Sequence, residues 1–198
     1  MPYSPKHKQH TRDRILDSAR RLFNSKGFSE VSIEEIMTHA GLTHGGFYRH
    51  FSGKDEVYAE AIRYFLCKKA PDPWQAKHAA MRSGRTRAER IVDAYFSRDH
   101  FDDRDSCCPL LGMASDVSRS GEAVKVAYRE VAEKLVGVFE AHLEEPKARE
   151  RALALVALCV GGMVLARGVD DPALADDFRT AAYEQLLRTA GWRGSQGA

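Results

Sequence analysis

Residues 37–51 read MTHAGLTHGGFYRHF, and the fold turns on how Gly45-Gly46 is understood. A glycine inside a helix costs about 1 kcal/mol relative to alanine, so two of them before Phe47-Tyr48 make a poor helix centre. At a helix start the objection disappears. With Thr43 as N-cap, the glycines occupy the second and third helical positions, whose backbone amides have no intrahelical partner. Ala40-Gly41-Leu42 before them suits a tight turn, because glycine accepts the positive φ that other residues resist.

Upstream, TRDRILDSARRLFNSKG (11–27) puts Ile15, Leu16, Ala19, Leu22 and Phe23 on one helical face, with Gly27 where a C-cap would sit. Ser32-Ile33-Glu34-Glu35 opens a second helix as a capping box, Ser32 covering an orphan amide and Glu35 reaching back, and this helix ends near Ala40-Gly41. Thr43 starts a third, short helix to His50. Ser52 with Asp55 starts a fourth, to about Lys69. Two short helices about a glycine turn, braced by a longer helix, have the layout of a helix-turn-helix, in which the second helix enters the DNA major groove. Ile36 and Phe47 are expected to pack the two together.

Ala70-Pro71-Asp72-Pro73 cannot continue a helix and marks a junction. Beyond it, Thr86 with Glu89 forms another capping box, starting a helix to Asp102 that carries Ile91, Val92, Tyr95 and Phe96. Cys107-Cys108-Pro109 opens a helix to about Ser118. Residues 122–144 repeat Val124, Tyr128, Val131, Leu135, Val138 and Leu143 at helical spacing. A helix follows Pro146 to about Arg167, and Asp171-Pro172 starts the last, to Ala190. The tail GWRGSQGA is expected to fray. No alternating strand, internal repeat or low-complexity tract interrupts the pattern, which predicts an all-α protein.

The segment TRDRILDSARRLFNSKGFSEVSIEEIMTHAGLTHGGFYRHFSGKDEVY resembles the DNA-binding domain of the TetR/AcrR family of transcriptional repressors. Order, spacing and residue type are preserved over about Gln9 to Lys69: the apolar face of the first helix, Gly27-Phe28, Ser32, Ala40-Gly41, and Tyr48-x-His50-Phe51 followed by Lys54. The resemblance implies a three-helix helix-turn-helix domain over 9–69. It also implies a C-terminal helical domain over 70–198 for effector binding and dimerisation. Carried over by position, it gives Ser32 and Thr43 to phosphates, Tyr48 and His50 to the DNA backbone, and Lys54 to a further phosphate. Hydroxyls and helix amides donate to phosphate oxygens, and lysine supplies the salt-dependent charge. Base reading falls to Thr38, His39, Thr43, His44 and Tyr48. His44 stands where the family often has lysine or arginine; as a neutral side chain it suits base contact better. Gly45 matches a family glycine, and Gly46 a position usually small. Both bring bare backbone to the DNA, with amides that could donate to phosphate.

Charge distribution agrees with a partner at this end. The chain's net charge is only +2, but residues 1–54 carry nine Lys or Arg against five Asp or Glu. Cys67, Cys107, Cys108 and Cys159 have neither framework spacing nor a CxxC pair, which favours a reducing, cytoplasmic setting. The basic N-terminus has no apolar run behind it, so a secretory signal is not expected. The longest uncharged stretch, ALALVALCVGGMVLA (152–166), is shorter than the roughly 20 residues a membrane span needs and reads as a buried helix.

That helix is apolar nearly all round and needs cover on both sides. In the resembled family the last two helices form a homodimer interface. Leu155, Leu158, Gly161, Gly162 and Leu165, with Phe178 and Leu186 of the last helix, are the candidates here. A two-fold dimer sets two recognition helices about 34 to 36 Å apart, for a palindromic operator in double-stranded DNA. The family's middle helices enclose a small-molecule effector, and Tyr95, Phe96, His100, Met113, Asp116, Tyr128 and Met163 offer the aromatic, pliable and polar lining of such a site. Asp116, an acid among apolar neighbours, needs an internal arginine or a cationic ligand. No cofactor or metal is expected.

Two rival readings use the cysteines. A thiol at a helix N-terminus can ionise more readily, so Cys107 and Cys108 could sense oxidants or electrophiles. An enzyme would need Cys107 or Cys108 as nucleophile, His100 as base and Asp102 or Asp116 to orient it. That reading leaves the N-terminal signature without a purpose. The expectation is a regulator, not an enzyme.

Overall fold

In the computed structural model, residues 5–67, 86–144 and 146–192 are described; among them every regular element is a helix. The expected junction at Ala70–Pro73, the end of the fourth helix at Lys69 and the tail 193–198 lie outside these residues. Chain order is Pro5–Lys26 (α1), Ile33–His39 (α2), a 3₁₀ helix His44–Arg49, Lys54–Cys67 (α3), Arg87–Tyr95 (α4) and Arg98–Asp102 (α5). Then come Pro109–Gly112 (α6), Ala114–Arg119 (α7), Glu122–Glu140 (α8), Ala148–Gly168 (α9) and Pro172–Ala190 (α10).

The described residues fall into two compact units that are not contiguous in sequence. The first joins 5–67 to 104–131. Its core is the apolar face of α1 against α2, the 3₁₀ helix and α3, with Ile15, Ala19, Phe23, Ile36, Phe47, Val57, Tyr58 and Ile62 all buried. Tyr58 sits between Phe23 and Phe28, with ring centroids 4.8 and 4.7 Å away. Buried Ser18 is satisfied: its hydroxyl donates to Ile36 O at 2.9 Å and meets His39 Nδ1 at 2.8 Å.

The segment 104–131 is fastened to α1 by polar side chains. Asn24 Nδ2 donates to Cys107 O at 2.9 Å and Asp105 O at 3.1 Å, and Arg21 to Ser106 Oγ at 3.2 Å. The Asp116 carboxylate accepts from the backbone amide of Phe28 at 2.7 Å, and Arg63 of α3 pairs with Glu130 at 2.8 Å. An N-terminal module read as 9–69 therefore has packed against it a piece drawn from the sequence beyond.

α1 begins six positions before Thr11, where the sequence pattern places its start. PKHKQH contains no apolar residue, so periodicity is silent there. The extension is held by local bonds, Thr11 Oγ1 to His7 O at 3.0 Å and Gln9 Nε2 to Asp13 at 2.8 Å. The helix expected to run from Thr86 to Asp102 starts on its capping box but breaks after Tyr95. Ser97 ends one helix and starts the next, donating to Ala94 O at 2.7 Å and accepting from His100 N at 3.2 Å. The helix expected from Cys107 to Ser118 is likewise two short ones meeting at Met113. α8 stops at Glu140, before the predicted Glu144, and buries Val124, Ala127, Val131, Val136 and Phe139.

The second unit holds 86–103 and 132–192. α9 packs along α10, and Gly162 permits the contact: a Cβ there would collide with Ala182 and lie 3.6 Å from the Phe96 ring. Asp171 caps α10 by accepting from Ala173 N at 2.9 Å, with Pro172 in the first turn. Arg151 donates to the terminal carbonyls of α10, Thr189 O at 3.1 Å and Ala190 O at 3.0 Å. Arg167 does the same for α5, reaching Phe101 O and Asp103 O at 3.1 Å.

By length and composition Ala148–Gly168 is long and apolar enough to cross a membrane, but one face of it is packed: Ala152, Leu155, Cys159, Met163 and Ala166 are buried within the chain. Leu155 and Leu186, expected at a dimer interface, are instead fully enclosed in this unit, and Gly162 is taken up by the α10 contact. The opposite face stays open, with Leu153 50%, Val164 43% and Leu165 52% exposed, together with Leu174 of α10. A Cβ added to Gly161 would meet nothing within 4 Å, and Leu158 and Phe178 are half-buried.

Candidate nucleic-acid interface

α2 ends on Ala40, and Gly41, at φ +65°, turns the chain; Gly41 N bonds Thr38 O at 2.9 Å and Leu42 N bonds Met37 O at 2.8 Å. Thr43 then enters the 3₁₀ helix in an extended conformation, without a capping bond from its side chain. Phe47 and the end of α2, Ile36 and Met37, are buried, which anchors the short helix from within. Its outer side carries Thr43, His44, Gly45 and Tyr48, the last 61% exposed. His44 and Tyr48 meet edge to face at 6.2 Å.

The glycines part company here. Gly45 faces open space: a Cβ added to it would have no neighbour within 4 Å, and its amide precedes the first 3₁₀ bond. The Gly46 amide, expected to be free for phosphate, is already bonded to Thr43 O at 3.0 Å. A 3₁₀ turn closes one residue sooner than an α turn, which accounts for the difference.

Around this helix the other expected contact residues are arranged unequally. Thr38 and His39 are exposed at the end of α2. Ser32 is exposed and caps α2, accepting from Glu35 N at 3.0 Å. Glu35 is held by Lys26 Nζ at 2.6 Å, and this bond, with help from the Ser32 backbone, keeps its carboxyl below the usual range. Lys54 is half-buried and lies 4.3 Å over the Phe28 ring; burial lowers its pKa. Ser52 does not pair with Asp55: its amide and hydroxyl both donate to Glu56, at 2.7 and 2.6 Å.

His50 is half-buried, and its carbonyl accepts from the Arg12 guanidinium. Arg12 also pairs with Glu60 at 2.5 Å and stacks 4.1 Å over Phe51. Burial first, then the charges of Lys8, Arg12 and Arg49, hold the His50 pKa below the ordinary histidine value. Lys8, Arg12 and Arg49 were not singled out by the sequence. Arg49 lies within the signature, and Lys8 sits on the extension of α1 that has no apolar residue to signal it.

The residues expected to line an effector site divide between the units: Tyr95, Phe96, His100 and Met163 in the second, Met113, Asp116 and Tyr128 in the first. His100 is fully buried with Tyr95 at 4.9 Å, and burial, then Arg167, lowers its pKa to about 3. Asp116 has its internal arginine, Arg119 at 2.9 Å, besides the Phe28 amide. The Tyr128 hydroxyl donates to Leu110 O at 3.0 Å, and burial pushes its pKa up to about 12. Cys107 is fully buried and its Sγ donates to Arg104 O at 3.2 Å. Cys108 caps a helix of only 4 residues, too short to supply much of a dipole.

A glycine-turned pair of short helices with a bare, aromatic-flanked outer side defines a helix-turn-helix protein. Residues 15–61 match the sequence profile of bacterial regulatory proteins of the tetR family. Over 52 residues the chain is 46% identical to the HTH-type transcriptional regulator AcrR of Shigella flexneri, a stretch covering 26% of this chain and 24% of that protein. The matched stretch thus spans about a quarter or less of the first curated relatives. A longer match, 23% identical over 164 residues, covers 78% of the chain and 85% of the HTH-type transcriptional regulator LmrA of Bacillus subtilis. The fold matches the crystal structure of a TetR-family transcriptional regulator from Cytophaga hutchinsonii, with TM-score 0.69, 21% identity, and 96% of this chain and 97% of that one covered. Residues 15–61 thus form a helix-turn-helix domain of the tetR type, and the relatives that share it are transcriptional regulators.

Proposed function

We propose that the chain is a DNA-binding transcriptional regulator, acting in the cytoplasm as a homodimeric repressor on a palindromic operator and released by a small-molecule effector. The observation that carries DNA binding is the 3₁₀ helix: Phe47 locks it inward while His44, Gly45 and Tyr48 stand free on the outside. Bare backbone at Gly45 suits close approach to phosphate, and the flanking His44, Thr38 and His39 suit base edges. The dimer is supported by the open apolar face of Leu153, Val164, Leu165 and Leu174, which a second copy would cover. Repression and effector release rest on the family resemblance. A reading through Cys107 and Cys108 as sensors is disfavoured by their burial, since reactive thiols need exposure as well as thiolate character.

Selection of bound duplexes from a random pool tests the proposal. A two-fold symmetric consensus is expected. Tyr48→Ala weakens binding to every duplex, whereas His44→Ala or Thr38→Ala changes the order of preference among duplexes. Equal binding of all duplexes by wild type and variants alike overturns the operator reading.

A further inference from the structure

Between the first turns of α1 and the 3₁₀ helix lies a groove of about 340 Å³, and its chemistry is one-sided. Lys8 and His7 line it from α1, Arg49 and His50 from the 3₁₀ helix and its end; no carboxylate contributes. Other cations nearby are already matched: Arg12 is paired with Glu60. Among the described residues, neither Lys8 nor Arg49 forms an ion pair, and the buried Nδ1 of His50 has no hydrogen-bond partner. Two uncompensated cations and two histidines around one groove form an electrostatic site for an anion.

Thr43 and Gly46 line the same groove, so it opens beside the edge of the 3₁₀ helix already assigned to DNA. We propose that this groove seats a phosphodiester of the DNA backbone, held jointly by Lys8 and Arg49, with His50 at its wall. The proposal rests on the DNA-binding reading above and extends it to a part of α1 that the helix-turn-helix does not include. It makes α1 more than a brace. The extension that begins at Pro5 carries a cation to the strand bordering the major groove, where it adds affinity without reading sequence.

The test uses the full chain and a fluorescent duplex of mixed sequence, because a backbone contact is independent of sequence. Lys8 and Arg49 are exposed, so Lys8→Gln, Arg49→Gln and the double variant keep the wild-type circular dichroism and melting temperature. The double variant is expected to bind about tenfold more weakly and to lose about 0.9 from the slope of log affinity against log salt, the share of one phosphate. A control double variant, Lys125→Gln with Lys134→Gln on α8, removes the same charge elsewhere and keeps the wild-type slope. Wild-type affinity and slope in the Lys8/Arg49 variant, or an equal loss in the control, overturns the groove site. If Tyr48→Ala still weakens binding in that case, the regulator reading survives. A wild-type chain that binds no duplex overturns both.

Discussion

At single residues, side-chain space separates positions that look alike in the sequence. Gly45 has open space around it and is not held at positive φ, so Gly45→Leu is expected to leave stability within about 0.5 kcal/mol while abolishing duplex binding by bulk at the DNA-facing edge. Melting and gel-shift assays on one preparation check both halves. Gly41 is the opposite case: at φ +65° a Cβ is strained, and Gly41→Ala will destabilise the first unit by about 1 kcal/mol or more. His100 gives a pH dependence. Its folded pKa is about 3, whereas an unfolded histidine titrates near 6.5, so below that value the unfolded chain takes up a proton that the folded chain refuses. The stability that neutral His100 allows is complete above about pH 6.5 and is lost as pH falls towards 3, roughly 2 kcal/mol by pH 5. Urea unfolding at both pH values will show this loss, and His100→Phe will reduce it.

Elements with an apolar stripe and a marked end were legible in the sequence. α10 starts and stops where Asp171-Pro172 and Ala190-Gly191 place it, and Gly41 adopts the positive φ its turn demands. What escaped was determined by groups that carry no periodic signal. The first turns of α1 are wholly polar, and the break at Ser97 comes from one hydroxyl bonding its own backbone. The 3₁₀ winding at Gly46 depends on a single carbonyl. The exposed part of the site, His44, Gly45 and Tyr48, was readable from the signature; Lys8 and Arg49 needed the groove to give them meaning. The Asp116 link between α7 and the α1–α2 turn is likewise invisible in sequence, lying 88 positions from Phe28. Asp116→Ala strands that amide and is expected to cost about 1 to 3 kcal/mol, read as a lowered melting temperature.

For the whole molecule, the open apolar face of α9 is the feature that stability alone leaves unexplained. Its counterpart face is consumed by α10, and in the proposed dimer a second copy would cover the half exposing Leu153 and Leu165. Leu165→Glu is expected to convert a dimer to a monomer in sedimentation velocity without lowering the melting temperature of the isolated chain. Gly162→Val, by contrast, strikes Ala182 and will unfold the second unit at lower urea, by about 1 to 3 kcal/mol.

The first unit is also assembled out of chain order, and this has a consequence at the ribosome. While only α1 to α3 have emerged, the carbonyls, the Ser106 hydroxyl and the two carboxylates that receive Asn24, Arg21, Arg63 and the Phe28 amide have not yet been synthesised. The polar fastening around the α1–α3 core is therefore complete only once residues up to Glu130 have been made. Nascent chains stalled before that point will be cut readily by protease within the first unit, and those stalled well past it will resist.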